Sequence, residues 1–182
     1  MYELIKSFIN LFLLKTKPED IVYSKLLLVF LVVVDFIVNY VADVVGIKVF
    51  NLINNKHLKF LVPTVEQSII VLAILFLVLW GVLYSTLAFY NKSNRFVQIL
   101  TSLTLVDIVL RLLLIVWVII LKYSAFLATI LMVPLVYWEF ILYIFIFANG
   151  FNFNYLKAGV FSLTYMLIQH NLGELLFNYI CI

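Results

Sequence analysis

Residues 96–121 read FVQILTSLTLVDIVLRLLLIVWVIIL, a long apolar run whose only charges are Asp107 and Arg111. A helix needs about 20 apolar residues to cross the roughly 30 Å hydrocarbon layer of a bilayer. This stretch meets that requirement and reads as a membrane-spanning helix. The turn before it, Asn91-Lys92-Ser93-Asn94-Arg95, and the turn after it, Lys122-Tyr123-Ser124, are short and polar.

The same pattern repeats on both sides, which predicts an all-α, polytopic transmembrane bundle of about five spans. They are expected at 21–45, 68–90, 96–121, 125–148 and 155–173. The composition agrees, being 66% hydrophobic and 12% charged over 182 residues, with a mean hydropathy of +1.20. A soluble domain is about half apolar and about a quarter charged, so lipid is the natural host for the excess. Residues 18–182 are expected to form a single transmembrane bundle.

Local signals mark the ends of these spans. Thr64-Val65-Glu66-Gln67 has a capping-box spacing and launches the second span. Pro18 suits the first helical position, so 16–20 reads as the start of the first span, with Glu19 and Asp20 at the positive end of the helix dipole. Gly46 is expected to stop that span, leaving 46–63 as a surface-lying loop with some helix. Pro134 should kink the fourth span, and Asn149-Gly150 should end it. The fifth is expected to stop near Gly173.

Residues 1–17 precede the bundle. Ile5, Phe8, Ile9 and Phe12 share one helical face, and Glu3, Lys6, Ser7 and Asn10 fall opposite. The segment is too short to span. It reads as an amphipathic interfacial helix lying in the headgroup plane, or as one packed on the bundle. It does not read as a secretory signal, since charges interrupt it and no small-residue cleavage site follows.

Positive charges orient the chain. With the N-terminus in the cytoplasm, seven Lys and Arg face inside (Lys6, Lys15, Lys17, Lys25, Lys92, Arg95, Lys157) and four face outside (Lys48, Lys56, Lys59, Lys122). Abundant Ile, Lys, Asn, Phe and Tyr suit a low-GC bacterium, so the expected location is the bacterial inner membrane, N-terminus cytoplasmic.

A charge in a span costs about 2.5–3.5 kcal/mol on insertion scales and needs a partner or a purpose. Asp35, Asn39 and Asp43 recur every four residues on the first span, a stripe drifting about 40° per step. Asp107 and Arg111, at i and i+4, are placed for an ion pair. Glu139 lies in the fourth span, and Gln169-His170-Asn171 in the fifth. At about 1.5 Å per residue, Asp35, Asn39, Asp107, Arg111, Glu139 and His170 fall at similar depth and form the candidate intramembrane polar cluster. One arginine cannot neutralise three acids, so at least one carboxyl should be protonated or wet.

Two readings of the cluster compete. The leading one is structural glue that fixes helix register, with His170 a hydrogen-bonded core residue. The other is a water-filled path for protons or a small ion. A continuous polar cavity reaching Asp35 and Arg111 would favour the path, and a dry, fully paired cluster the glue.

Enzyme chemistry finds no support in the sequence. It contains no HExxH, no phosphate-binding glycine loop and no GxSxG elbow, and His57 and His170 are its only histidines. No cofactor or metal is expected. The lone Cys181 reads as a small apolar residue. No basic patch suggests nucleic acid. The expected partners are the lipid bilayer and either other membrane proteins or further copies of the chain.

From the second span onward the chain resembles the Yip family. The resemblance rests on Phe96-Val97-Gln98-Ile99-Leu100-Thr101 after a basic turn, Trp138 in the fourth span and Tyr155-Leu156-Lys157-Ala158 opening the last, over residues 68–171. The entry segment 14–20, with its Pro18, is also similar. The resemblance implies a five-span, non-catalytic scaffold or subunit of a membrane assembly. Eukaryotic members interact with Rab GTPases. The Asp-Leu-Tyr-Gly-Pro signature of those members is absent here, so no functional residue is carried over.

Overall fold

In the computed structural model the described residues are 6, 9–20, 24–53 and 62–181, and they are almost entirely helical. Five long helices follow one another: α1 (Lys25–Ile53), α2 (Val65–Phe89), α3 (Phe96–Tyr123), α4 (Ala125–Phe151) and α5 (Tyr155–Cys181), with short 3₁₀ turns at Pro18–Asp20 and Ser93–Arg95. No strand occurs among the described residues. Four helices are long and apolar enough to cross a membrane, namely α1, α2, α3 with its preceding turn, and α4. Helix α5 matches them in length but carries Gln169, His170, Asn171, Glu174 and Asn178 in its second half.

The expected starts and stops were only partly right. The Thr64 capping box forms as read, the Thr64 Oγ1 accepting from the Gln67 N–H at 3.2 Å and the Gln67 Oε1 from the Thr64 N–H at 2.9 Å. Helix α1 instead begins after Ser24, whose hydroxyl accepts from the Leu27 N–H at 3.0 Å. Glu19 does not sit at that helix end; it forms an ion pair with Arg95 at 3.1 Å.

Gly46 does not stop α1, nor Gly173 α5, because no glycine takes a positive φ. A glycine ends a helix by turning left-handed, and without that turn apolar residues carry the helix on. Asn152 performs the stop for α4, with φ 58° and ψ 41°. The Phe153 N–H then returns to the Ala148 carbonyl at 3.0 Å. The α4 helix runs unbroken through Pro134.

The helices form a ring in which α1 packs on α3, α3 on α4, α4 on α5, and α5 on α2. Only a looser contact, with Phe36 and Phe76 ring centroids 5.1 Å apart, closes the ring between α2 and α1. The outward faces of the helices are apolar, unlike those of a soluble protein. Helix α1 buries Leu31, Asp35, Asn39 and Ala42 and exposes Leu26, Val29, Phe30, Val33 and Ile37. Hydrocarbon accepts the apolar face, so the interior can hold the polar one. Helix α3 is the most enclosed, and every residue from Ile99 to Val106 is buried. Its Thr101, Ser102 and Thr104 hydroxyls donate to carbonyls one turn back at 2.7, 2.9 and 2.9 Å, which satisfies them within the helix.

At the Arg95 end the ring is filled solid. Leu83, Leu87, Leu103, Tyr143 and Phe147 are almost fully enclosed. Phe147, Phe151, Phe161 and Tyr165 meet with centroids 4.8–6.5 Å apart, mostly edge to face. Arg95 lies across this end, donating to the Asn149 carbonyl at 3.1 Å, a cation at the negative end of the α4 dipole.

Of the expected N-terminal amphipathic helix, Ile5 and Phe8 lie outside the described residues. Residues 9–12 form a helical turn in which Leu11 is fully buried in the core and Ile9 is exposed. Phe12 approaches Trp138 with centroids 6.2 Å apart.

Candidate functional site

The structure gathers Asp35, Asn39, Asp107, Arg111 and Glu139 around mid-height of the ring, each on a different turn of α1, α3 or α4. Asp35 and Asn39 face inward because they continue the stripe that α1 turns toward α3. The Asn39 side-chain amide donates to the Asp35 carbonyl at 2.9 Å and to the Asp35 Oδ1 at 3.0 Å. The Asp35 Oδ2 has no hydrogen-bond partner, although the residue is 1% exposed.

Asp107 and Arg111 do not make the ion pair their spacing suggested. No carboxylate oxygen lies within 4.0 Å of the Arg111 guanidinium among the described residues. Asp107 is held across the helix interface instead, its Oδ1 accepting from the Tyr143 hydroxyl of α4 at 2.5 Å. Arg111 remains within electrostatic reach of Asp35, Asp43, Asp107 and Glu139 without being committed to one of them. An i, i+4 spacing brings two side chains to one face, but a neighbouring helix can outcompete the local partner.

Away from the Arg95 end the ring opens into a cavity of about 700 Å³. Its polar lining is Asn39, Asp43, Arg111, Glu139, His170 and Glu174, with Gln169 beside them. Its apolar walls include Leu72, Phe140, Met166 and Phe177. Beneath it lies a void of about 20 Å³ bordered by Asp35, Thr104, Asp107, Tyr165 and Gln169. Asn39, Leu72, Leu75, Arg111 and Gln169 line both spaces. A void of this size has room for about one water molecule, and polar groups surround it.

His170 is not a core histidine. It is exposed on the cavity wall. Near this end the Gln67 side chain donates to the Ile180 carbonyl at 3.0 Å, tying the start of α2 to the end of α5. The Trp117 indole N–H donates to the Ala128 carbonyl at 2.6 Å, tying α3 to the start of α4.

Three participants escaped the sequence reading. Tyr143 stands one turn beyond Glu139 on the same face of α4, a spacing that pointed to it. Tyr165 borders the inner void. Glu174 stands one turn beyond His170, past the glycine where the helix was expected to stop. Among the described residues no three His, Cys, Asp or Glu side chains group closely enough to hold a metal ion.

No protein-family model, curated protein or solved structure matches the chain. The geometry of the cluster is therefore what bears on its role.

Proposed function

We propose that this protein is a small proton-linked membrane transporter, with all five helices crossing the bilayer. Asp35 and Asp107 form its proton-binding pair, and the cavity above them holds the solute. The observation that carries this reading is the Asp35 Oδ2, enclosed, unpartnered and bordering a void that shares Asn39, Arg111 and Gln169 with the cavity lining. An isolated carboxylate in such surroundings is strongly disfavoured unless a proton, a cation or water reaches it. Arg111, shared among four carboxyls and tied to none, is the group able to follow a charge as it moves. The solid aromatic half of the ring closes the other end, which is what a one-sided, alternately opened site requires.

In this reading the Arg95 end faces the cytoplasm of a bacterial inner membrane and the cavity opens on the opposite side. A scaffold of Yip-like type is served equally well by short connections and five helices, but it gives an open acidic cavity nothing to do. No catalytic role is proposed.

Purified protein in liposomes tests the transport reading. Under an imposed membrane potential, an encapsulated pH dye should report proton entry several-fold above protein-free vesicles. Asp35→Asn and Arg111→Ala should each return it to background. Wild-type flux at background, or flux untouched by both substitutions, would overturn the proposal.

A further inference from the structure

The cavity lining is acidic on balance. Asp43, Glu139 and Glu174 contribute three carboxyls to the open space against the single cation Arg111, and Asp35 and Asp107 stand just below. Phosphate, carboxylate and other anionic solutes are disfavoured by that balance. Divalent metal ions are disfavoured too, since the carboxyls are spread around the wall rather than converged on one point. The remaining surface is apolar, so a strongly hydrated inorganic cation would face leucine, phenylalanine and methionine over most of its approach.

The cavity also has a side opening. Val136 and Tyr137 of α4 and Leu163 and Leu167 of α5 line it while being 44, 66, 54 and 52% exposed. Side chains of both helices thus line the cavity while also facing outward here. At the Arg95 end the two helices meet, with Phe147 and Phe161 at 4.8 Å. A molecule dissolved among lipid chains therefore has a route in between α4 and α5, past apolar walls and toward the carboxyls.

We infer that the solute is an amphiphilic organic cation, an apolar body bearing one ammonium- or phosphonium-type charge, which enters from the lipid between α4 and α5. Its charge settles among Asp43, Glu139 and Glu174, and its body lies against Leu72, Phe140 and Met166. The buried unpartnered Asp35 Oδ2 below the floor provides a proton site whose occupancy responds to the cation's arrival. This last step rests on the transport reading above; the binding step does not.

Equilibrium binding of radiolabelled tetraphenylphosphonium to detergent-solubilised protein tests the inference, with tetraphenylborate as a probe of equal shape and opposite charge. Saturable binding of the cation and none of the anion is expected. Glu139→Gln should weaken it about tenfold, as one carboxylate a few ångströms away in a partly wet cavity contributes. Leu167→Trp, which puts an indole into the cavity that Leu167 lines from a lipid-exposed position, should likewise weaken binding without disturbing the core, and it keeps the test alive if a carboxyl substitution prevents folding. Absence of saturable binding, equal binding of both probes, or insensitivity to both substitutions would overturn the inference. Proton flux without cation binding would defeat this inference and leave the transport reading standing. Cation binding without proton flux would do the reverse.

Discussion

Tyr143→Phe removes one oxygen atom from the centre of the molecule and probes the polar cluster most directly. The Tyr143 ring is fully enclosed, and its hydroxyl reaches the Asp107 Oδ1 at 2.5 Å. Phenylalanine keeps the ring contacts with Phe147 and Tyr165, at 6.0 Å each between centroids. The loss is therefore confined to one hydrogen bond. Interhelical hydrogen bonds in membrane proteins contribute only about 0.6 kcal/mol on average and up to about 1.7, whereas a bond to a charged group in a protein interior contributes about 1.5–3. Burial on both sides and a carboxyl acceptor place this one at the overlap, so the substitution should destabilise the fold by about 1.5–1.7 kcal/mol.

Unfolding in mixed micelles by increasing dodecyl sulfate, followed by fluorescence of Trp80, Trp117 and Trp138, measures the loss. The control is the same substitution in an Asp107→Asn background. A neutral acceptor there should reduce the penalty of Tyr143→Phe to about the average value, 0.6 kcal/mol. A penalty below about 0.6 kcal/mol in the wild-type background, or the same penalty in both, would refute the claim that Tyr143 is what holds Asp107 away from Arg111.

Three further substitutions probe the closed half of the ring. A Cβ on Gly150 would come within 2.5 Å of the Ile99 Cδ1 and 2.7 Å of its Cγ1; Ile99 is 1% exposed and has little space to yield. Gly150→Ala should cost about 1–3 kcal/mol by the same unfolding assay, and combining it with Ile99→Ala should cost less than the sum of the two. Arg95→Ala should cost about 1–2 kcal/mol, since it strips the Asn149 carbonyl of its donor and the α4 terminus of its cation. Glu19→Gln should cost under about 1 kcal/mol, because that partner is more than a third exposed and its pair with Arg95 is screened by solvent. Equal losses from Arg95→Ala and Glu19→Gln would show that the ion pair, not the helix end, is what Arg95 secures.

Much of the candidate site is legible in the amino-acid sequence. The residues that turn inward on α1 are the ones whose four-residue repeat singles them out, because lipid leaves no other acceptable direction for Asp35 and Asn39. The same reasoning places Asp107, Arg111 and Glu139 at one height. It goes wrong at His170, where depth along the helix is right and the surroundings are not. A helix of given sequence can face a filled interior or an open one, and α5 faces both along its length, packed at Phe161 and Tyr165 and open at His170 and Glu174.

The amino-acid sequence alone pointed to a helical bundle, to about five spans of which four have helices long and apolar enough for a hydrocarbon solvent, and to where α2 begins. These follow from composition, length and side-chain chemistry within a few consecutive residues. Tertiary structure decided the order of helices around the ring, the choice of Tyr143 over Arg111 as the partner of Asp107, and which side chains of the five helices line the cavity. Each of those is a competition between contacts from distant parts of the chain. Spacing along one helix sets which way a side chain points, but only the neighbouring helices determine what it meets.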